Sequence, residues 1–452
     1  MPDGGDVLRG NKRALVSFTA LSRSIIGLLI GGFGRAVLLV SLFACGLLLL
    51  DAVFSGLEWA FTYDDRLLTE AADFALKATI LFAATALAHL WREKLRQDRK
   101  VEPWATWEHR RSLITIGCAT SDRDNRFDSI KILAAIAVLL SNAFPIAHGS
   151  IAAQPLATLS YGQTTLSGFA VLTLSAISGY LITQSFDQSP LPLHFLKARI
   201  LRMFPALAFV LILSAGILGL AVTSLSSEQY LTNFDTSQYL YGGLSLIWMQ
   251  YDLPGVFENN PAGPIVNGSL WTLPCEFILY LVVLILGMSG LLNRRFSLAL
   301  WLGALILNWY AVGGAYGAVT TTFLGGATFY LWRDLVALDW FAALLCALTL
   351  GLATITEGFH LAFAIFGVYL VIYLAFIPTF RRLNLARWGN LSYGIYIFSW
   401  PVQQTVAFLL GSRMTWYWNV ALSLPTVLVL AWLSWHLVEK PALLLSRRRA
   451  TA

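Results

Sequence analysis

The chain has 452 residues, 57% hydrophobic and only 12% charged, with 31 Lys and Arg against 25 Asp and Glu for a net charge of +6. Ordinary soluble domains carry about 25% charged residues, so this composition excludes a water-solvated enzyme and fits a polytopic membrane protein whose outer face is solvated by lipid. The 16 Trp and 16 Tyr suit the two membrane interfaces, and the positive balance is expected from loops on one side of the membrane, not from nucleic-acid binding.

A spanning helix needs about 20 mostly apolar residues, and about twelve are expected by that criterion. The first segment, 13–35, reads as an interfacial helix with one basic face, although Gly27 and Gly31 also form a G-x-x-x-G spacing. It lacks a small-residue cleavage site, so no cleaved signal peptide is expected. Two spanning helices follow near 36–56 and 72–91, and then a charged stretch over 92–128. Ten more are expected near 129–148, 165–186, 203–224, 268–290, 296–312, 315–332, 337–354, 360–379, 390–410 and 419–438. The charged stretch divides the chain into an N-terminal extension, 1–122, and a ten-helix core, 123–445.

The loops carry an independent signal, because Lys and Arg accumulate on the cytoplasmic side. The N-terminal tail, 92–111, 187–202, Arg294 with Arg295, Arg333, Arg381 with Arg382 and Arg387, and the C-terminal tail are basic. The intervening stretch 225–266 contains Glu228, Asp235, Asp252 and Glu258 and no Lys or Arg. Every second loop is basic, which implies an even helix count with both termini cytoplasmic. Cys45, Cys118, Cys275 and Cys346 show no C-x-x-C spacing, so neither a disulfide framework nor a metal site is expected.

Ionisable residues inside spanning helices are costly and are functional by default. The clearest is Glu276 in "NGSLWTLPCEFILYL", where Pro274 is expected to break the helical ladder just before it. Asn267, Ser269, Trp271 and Thr272 line the approach. An intramembrane carboxylate there suits proton transfer; the plainer reading is a packing bond to a neighbouring helix. In "HFLKARILRMFP", Lys197, Arg199 and Arg202 stand at the cytoplasmic mouth of a helix, where they either anchor it or hold phosphates. "NLSYGIYIFSWPVQQ" places Ser392, Tyr393, Tyr396, Ser399, Gln403 and Gln404 in one helix interrupted by Pro401. Such groups line a cavity or bond helix to helix. Cys275 reads as a small packing residue rather than a nucleophile.

Seven blocks in order, "RFDSIKILAAIAVLLSNAF", "AISGYLITQSF", "FLKARILRMFPAL", "YDLPGVFENNPAGPIVNGSLWTLPCEF", "FLGGATFYLWR", "LSYGIYIFSWPVQQ" and "HLVEKPALLLSRR", resemble the acyltransferase-3 family of integral-membrane O-acyltransferases. The resemblance covers residues 123–445. It implies transfer of an acyl group, usually acetyl, from acyl-CoA as co-substrate, with no bound cofactor, to hydroxyls of cell-envelope glycans or lipid-linked sugars at the bacterial inner membrane. The partners implied are membrane lipid, a glycan acceptor and polysaccharide-assembly proteins. Carried over by residue, Arg199 and Arg202 would meet CoA phosphates, Glu276 would be the cavity carboxylate, and Ser178 and Gly179 would hold the second core helix against the first.

The first core helix departs from the family pattern. The family places an arginine and, further along, a histidine base where this chain has Lys131 and Asn142. Neutral imidazole accepts a proton near neutral pH. A carboxamide can only orient a hydroxyl or donate to an oxyanion, and Lys131 keeps the charge without bidentate geometry. Glu276 or His148 would then be the base, Lys131 would join the donor-binding cations, and Tyr393 and Tyr396 would line the acceptor cavity. An alternative is a catalytically retired scaffold in an envelope polysaccharide assembly complex. A transporter is the third reading, although no inverted repeat is visible.

Overall fold

A computed structural model describes residues 115–117, 126–152, 154–309, 314–377 and 385–448. The expected helices near 36–56 and 72–91, the interfacial segment 13–35, Cys45 and Cys118, the basic stretch 92–111, and Arg381 and Arg382 lie outside the described residues. The described chain is helical, and its extended pairing is limited to two isolated bridges, Thr115 with Ala337 and Asp252 with Ile265. The chain divides into two compact units. In the smaller, Met1–Cys118 with Asp334–Asp339, the Ile116 N–H donates to the Val336 carbonyl at 3.0 Å. The larger, Ala119–Arg333 with Trp340–Ala452, is a helical bundle.

Each of the ten core segments expected from hydropathy is helical. They are α1 (Phe127–His148), α2 (Leu166–Gln188), α3 (Pro192–Val222), α4 (Gly268–Met288) and α5 (Arg294–Trp309). After these come α6 (Gly314–Leu331), α7 (Trp340–Ile355), α8 (Phe359–Phe376), α9 (Ser392–Leu410) and α10 (Trp416–Leu444). Among the described residues six of them, α1 to α4, α8 and α10, are long and apolar enough to cross a membrane. The 22 residues of α1 give a length of about 33 Å at about 1.5 Å per residue, close to the ~30 Å hydrocarbon core. It stops at Gly149, whose φ of +69° and N–H bond to the Pro145 carbonyl close the helix in a left-handed turn. Thr165 caps α2 by accepting the Gly168 N–H at 2.9 Å.

The two helices with the most extensive mutual packing are α2 and α6. A Cβ on Gly179 would lie 1.9 Å from the Phe323 carbonyl oxygen, and one on Gly326 would lie 2.1 Å from that of Ala176. Only glycine permits this backbone approach. The expectation that Ser178 and Gly179 hold α2 against α1 is therefore corrected: Gly179 meets α6, and Ser178 bonds Glu276 of α4.

Polar groups tie the remaining helices together. Gln403 of α9 donates to the Leu139 carbonyl of α1 at 2.9 Å and to Asn419 Oδ1 of α10 at 2.8 Å, and Asn419 Nδ2 returns a bond to the Gln403 carbonyl at 3.0 Å. Pro401 lacks the N–H that would otherwise bond the Ile397 carbonyl one turn earlier. Asn267 Nδ2 donates to that freed carbonyl at 2.9 Å, so α9 continues through its proline. The loop 248–267 is fixed to the same helix. Trp400 Nε1 and Gln404 Nε2 both donate to the Ile265 carbonyl, at 3.0 and 2.8 Å. Pro274 does not break a ladder. A 3-10 turn, Gly268–Trp271, precedes the α-helical part of α4, Thr272–Met288, so Pro274 sits in the first α-turn, where an N–H has no intrahelical partner to lose.

Candidate active site

Two cavities lie between α1, α2, α4, α6 and α9, and they share Val171, Val319 and Tyr396 as wall residues. The first, about 180 Å³, is charged: Lys131, Arg199 and Arg202 line it together with Glu276, Tyr280 and Tyr393. The second, about 200 Å³, contains the other end of α1. Asn142, Thr165, Ser167, Ser269, Trp271, His360, Tyr396 and Trp400 are among its walls. Lys131 and Asn142 stand eleven residues apart on one helix, or about 16 Å along its axis. Each cavity is below the ~300–1,000 Å³ of ordinary small-molecule sites, so each accommodates the reacting end of a substrate.

The charged cavity lies where α1 and α3 begin and α2 ends. Glu276 Oε1 accepts a hydrogen bond from Ser178 Oγ at 2.8 Å and another from the Tyr280 hydroxyl one helical turn on. Two donors on one carboxylate oxygen hold the group in place. The three cations differ in what restrains them. Lys131 Nζ pairs with Asp128 Oδ1 at 2.6 Å on its own helix. Arg202 pairs at 3.4 Å with Glu439, which is fully buried and also accepts from Ser434 Oγ at 3.1 Å. Arg199 donates to Ser185 Oγ at 2.7 Å, and its guanidinium lies over the Phe195 ring. It forms no close ion pair with a carboxylate among the described residues, although Glu276 acts on it electrostatically from another wall of the same cavity. Lys197, which the sequence left between helix anchoring and phosphate binding, lines neither cavity.

Tyr396 stands at the junction, its hydroxyl 2.8 Å from Thr272 Oγ1. Tyr393, one turn earlier, donates to the Met203 carbonyl of α3 at 3.0 Å. The second cavity carries hydrogen-bonding capacity that is not yet spent. Asn142 is buried, faces this space and makes no side-chain hydrogen bond among the described residues. Ser269 Oγ and His360 Nδ1 are buried without partners. Buried polar atoms are nearly always paired, so these groups offer hydrogen bonds to a polar molecule entering the space.

The remaining sequence candidates fall elsewhere. His148 is exposed at the end of α1 and lines neither cavity. Asn267 is buried at the base of α4, where it serves Ile397 and accepts the Ser269 N–H at 3.2 Å. Cys275 is buried beside Thr320, its sulfur 3.8 Å from the hydroxyl. Sequence reasoning missed Tyr280, although its i+4 spacing from Glu276 was a usable signal. It also missed Glu439, visible only as a carboxylate in an apolar run, and His360, for which no local pattern gave a signal.

An acyltransferase domain model matches residues 124–436. Over 344 residues the chain is 28% identical to an O-acetyl transferase of Shigella phage Sf6, covering 70% of this chain and 96% of that protein. It is 27% identical over 379 residues to nodulation protein 10 of Rhizobium leguminosarum bv. viciae, covering 74% of this chain and 98% of the relative. No solved structure matches. With a bundle of apolar helices built around a buried polar site, the chain is a multi-pass membrane protein that belongs to the acyltransferase-3 family.

Proposed function

We propose that this chain is a membrane O-acyltransferase that moves an acyl group, most simply acetyl, from acyl-CoA to a hydroxyl of a cell-envelope or exopolysaccharide glycan. The observation that carries this reading is the pair of joined cavities of opposite character. One presents three cations and a carboxylate, the other hydroxyls, a carboxamide, indoles and an imidazole. A donor carrying phosphates suits the first, and the basic loops at its end of the bundle support a cytoplasmic side for it. A sugar suits the second, whose aromatic and hydrogen-bonding walls match a polyhydroxylated ring. The O-acetyl transferase name of the phage relative agrees with this direction.

In this reading Arg199 and Arg202, with Lys131, hold the donor phosphates. The thioester lies near Tyr396, where the two spaces meet. Asn142 donates to the oxyanion of the tetrahedral intermediate or orients the acceptor. Glu276, held by Ser178 and Tyr280, exchanges a proton at the donor side. The test supplies purified full-length protein with isotope-labelled acetyl-CoA and envelope glycan. Alkali-labile label on the glycan is expected, and its absence across lipid-linked and polymeric acceptors overturns the proposal. One observation favours a scaffold without catalysis: a carboxamide occupies the α1 position of the second cavity. On that reading Glu276→Gln leaves the biological role intact.

A further inference from the structure

The second cavity needs a base that its α1 residue cannot provide. A sugar hydroxyl is a poor nucleophile until its proton is removed. Among the groups lining this cavity, the hydroxyls of Thr165, Ser167, Ser269 and Tyr396, the Asn142 carboxamide and the indoles of Trp271 and Trp400 have no basicity near neutral pH. Glu276 lines the other cavity, where its Oε1 is held by Ser178 and Tyr280. One wall residue remains whose side chain is a Brønsted base: the imidazole of His360.

The surroundings of His360 hold it in place. It is the second residue of α8, after Gly358 with a φ of +87°. The Gln163 side chain clasps this corner. Its Oε1 accepts the Phe359 N–H at 3.1 Å, and its Nε2 donates to the Thr354 carbonyl at 3.3 Å and to that of Thr356. The His360 ring is hydrogen-bonded by the Gln163 backbone and stands edge-on to Phe359, with ring centroids 5.7 Å apart. Its buried Nδ1 has no partner. A ring so fixed on the wall of the cavity is placed to serve an acceptor bound there.

We propose that His360 is the catalytic base of acyl transfer, contributed from α8 to the cavity that Asn142 faces from α1. The inference rests on the acyltransferase reading above and deepens it. The imidazole takes the proton of the acceptor hydroxyl as its oxygen forms a bond to the thioester carbonyl carbon. The tetrahedral intermediate collapses with cleavage of the carbon–sulfur bond, and the imidazolium returns the proton to the departing CoA thiolate. The products are the O-acyl ester and free CoA, and Gln163 acts as a positioning residue.

The experiment compares the full-length parent with His360→Gln, His360→Ala and Asn142→His/His360→Gln, using labelled acetyl-CoA and glycan. Removing a general base costs about 10²–10⁴-fold in rate. The expected result is a loss of that size in kcat for both single variants, with KM for acetyl-CoA and thermal stabilisation by CoA unchanged. Added imidazole should restore part of the His360→Ala rate. A histidine at position 142, on the wall of the same cavity, should restore part of the His360→Gln rate. An active parent with His360→Gln within threefold of it overturns this inference alone. So does a loss that neither imidazole nor the second histidine reverses. A parent that transfers no label to any acceptor overturns the acyltransferase reading, and this inference with it.

Discussion

Replacing Gly179 with Ala tests the contact on which the cavity walls depend. The added methyl would lie 1.9 Å from the Phe323 carbonyl oxygen and 2.8 Å from its carbon. It falls about 1.5 Å short of ordinary van der Waals contact, and the obstacle is helix backbone, which cannot rotate aside as a side chain would. Overpacking typically costs about 1–3 kcal/mol and sometimes more, and a backbone clash of this depth belongs at or above the upper figure. A loss of about 3 kcal/mol is roughly a hundredfold in the folded equilibrium and about 3–5 °C in Tm for a domain of this size. Gly351, in α7, is the control. Nothing lies within 4 Å of its added Cβ, so Gly351→Ala should be neutral or stabilising by up to about 1 kcal/mol from helix propensity. The assay is thermal unfolding of both variants in one detergent, read by intrinsic fluorescence and by retention on size exclusion. Because Val171, Ser175 and Ser178 of α2 face Val319 and Phe323 of α6 across the charged cavity, Gly179→Ala should also lower acyl transfer at temperatures where it stays folded. Equal melting of the two variants would refute the close approach of α2 and α6 and the cavity geometry drawn from it.

Arg199→Ala removes the cavity cation that forms no close ion pair with a carboxylate among the described residues. It should raise KM for acyl-CoA by about 10- to 100-fold, matching the roughly 1.5–3 kcal/mol of a charged hydrogen bond, with kcat nearly unchanged in steady-state assays. Glu439→Ala strands Arg202. Breaking a buried ion pair costs about 3–5 kcal/mol, and the lower figure is expected because the Arg202 side chain keeps 24% exposure; thermal unfolding reads the loss. Gln403→Leu leaves Asn419 Oδ1 without the donor that Gln403 supplies, at about 1–3 kcal/mol per unsatisfied buried group. It should melt early in thermal unfolding.

Much of this architecture was legible before any coordinate. Hydropathy over about 20 residues responds to the one condition that lipid imposes, that backbone groups bond within their own segment. The ten core segments were accordingly readable along the chain, with boundaries displaced by a few residues, save that α3 starts at Pro192 where position 203 was expected. The ordered blocks around Gly179, Glu276 and Pro401 were enough to point to the family, because each combines a small residue, a buried polar group or a proline that ordinary apolar helices avoid. Arg199, Arg202, Lys131 and Glu276 were also readable as a set. Charges near or within spanning helices are rare enough to stand out.

What the chain order did not contain was which faces meet. His148 lies six residues from Asn142 in sequence yet is exposed at the helix end, while His360, more than two hundred residues away, lines the same cavity as Asn142. Gly179 was readable as a contact, but its partner, Phe323 of α6, depends on how two helices cross. Asn267 belongs with the proline-freed carbonyl of Ile397, a match created only when α4 and α9 lie side by side. The sequence by itself determined the place and character of the apolar core segments and the chemistry available to them, because hydrophobic length and charge are local properties. The tertiary structure alone decided which polar groups share a space, because helix rotation and crossing are set by packing between segments distant in the chain.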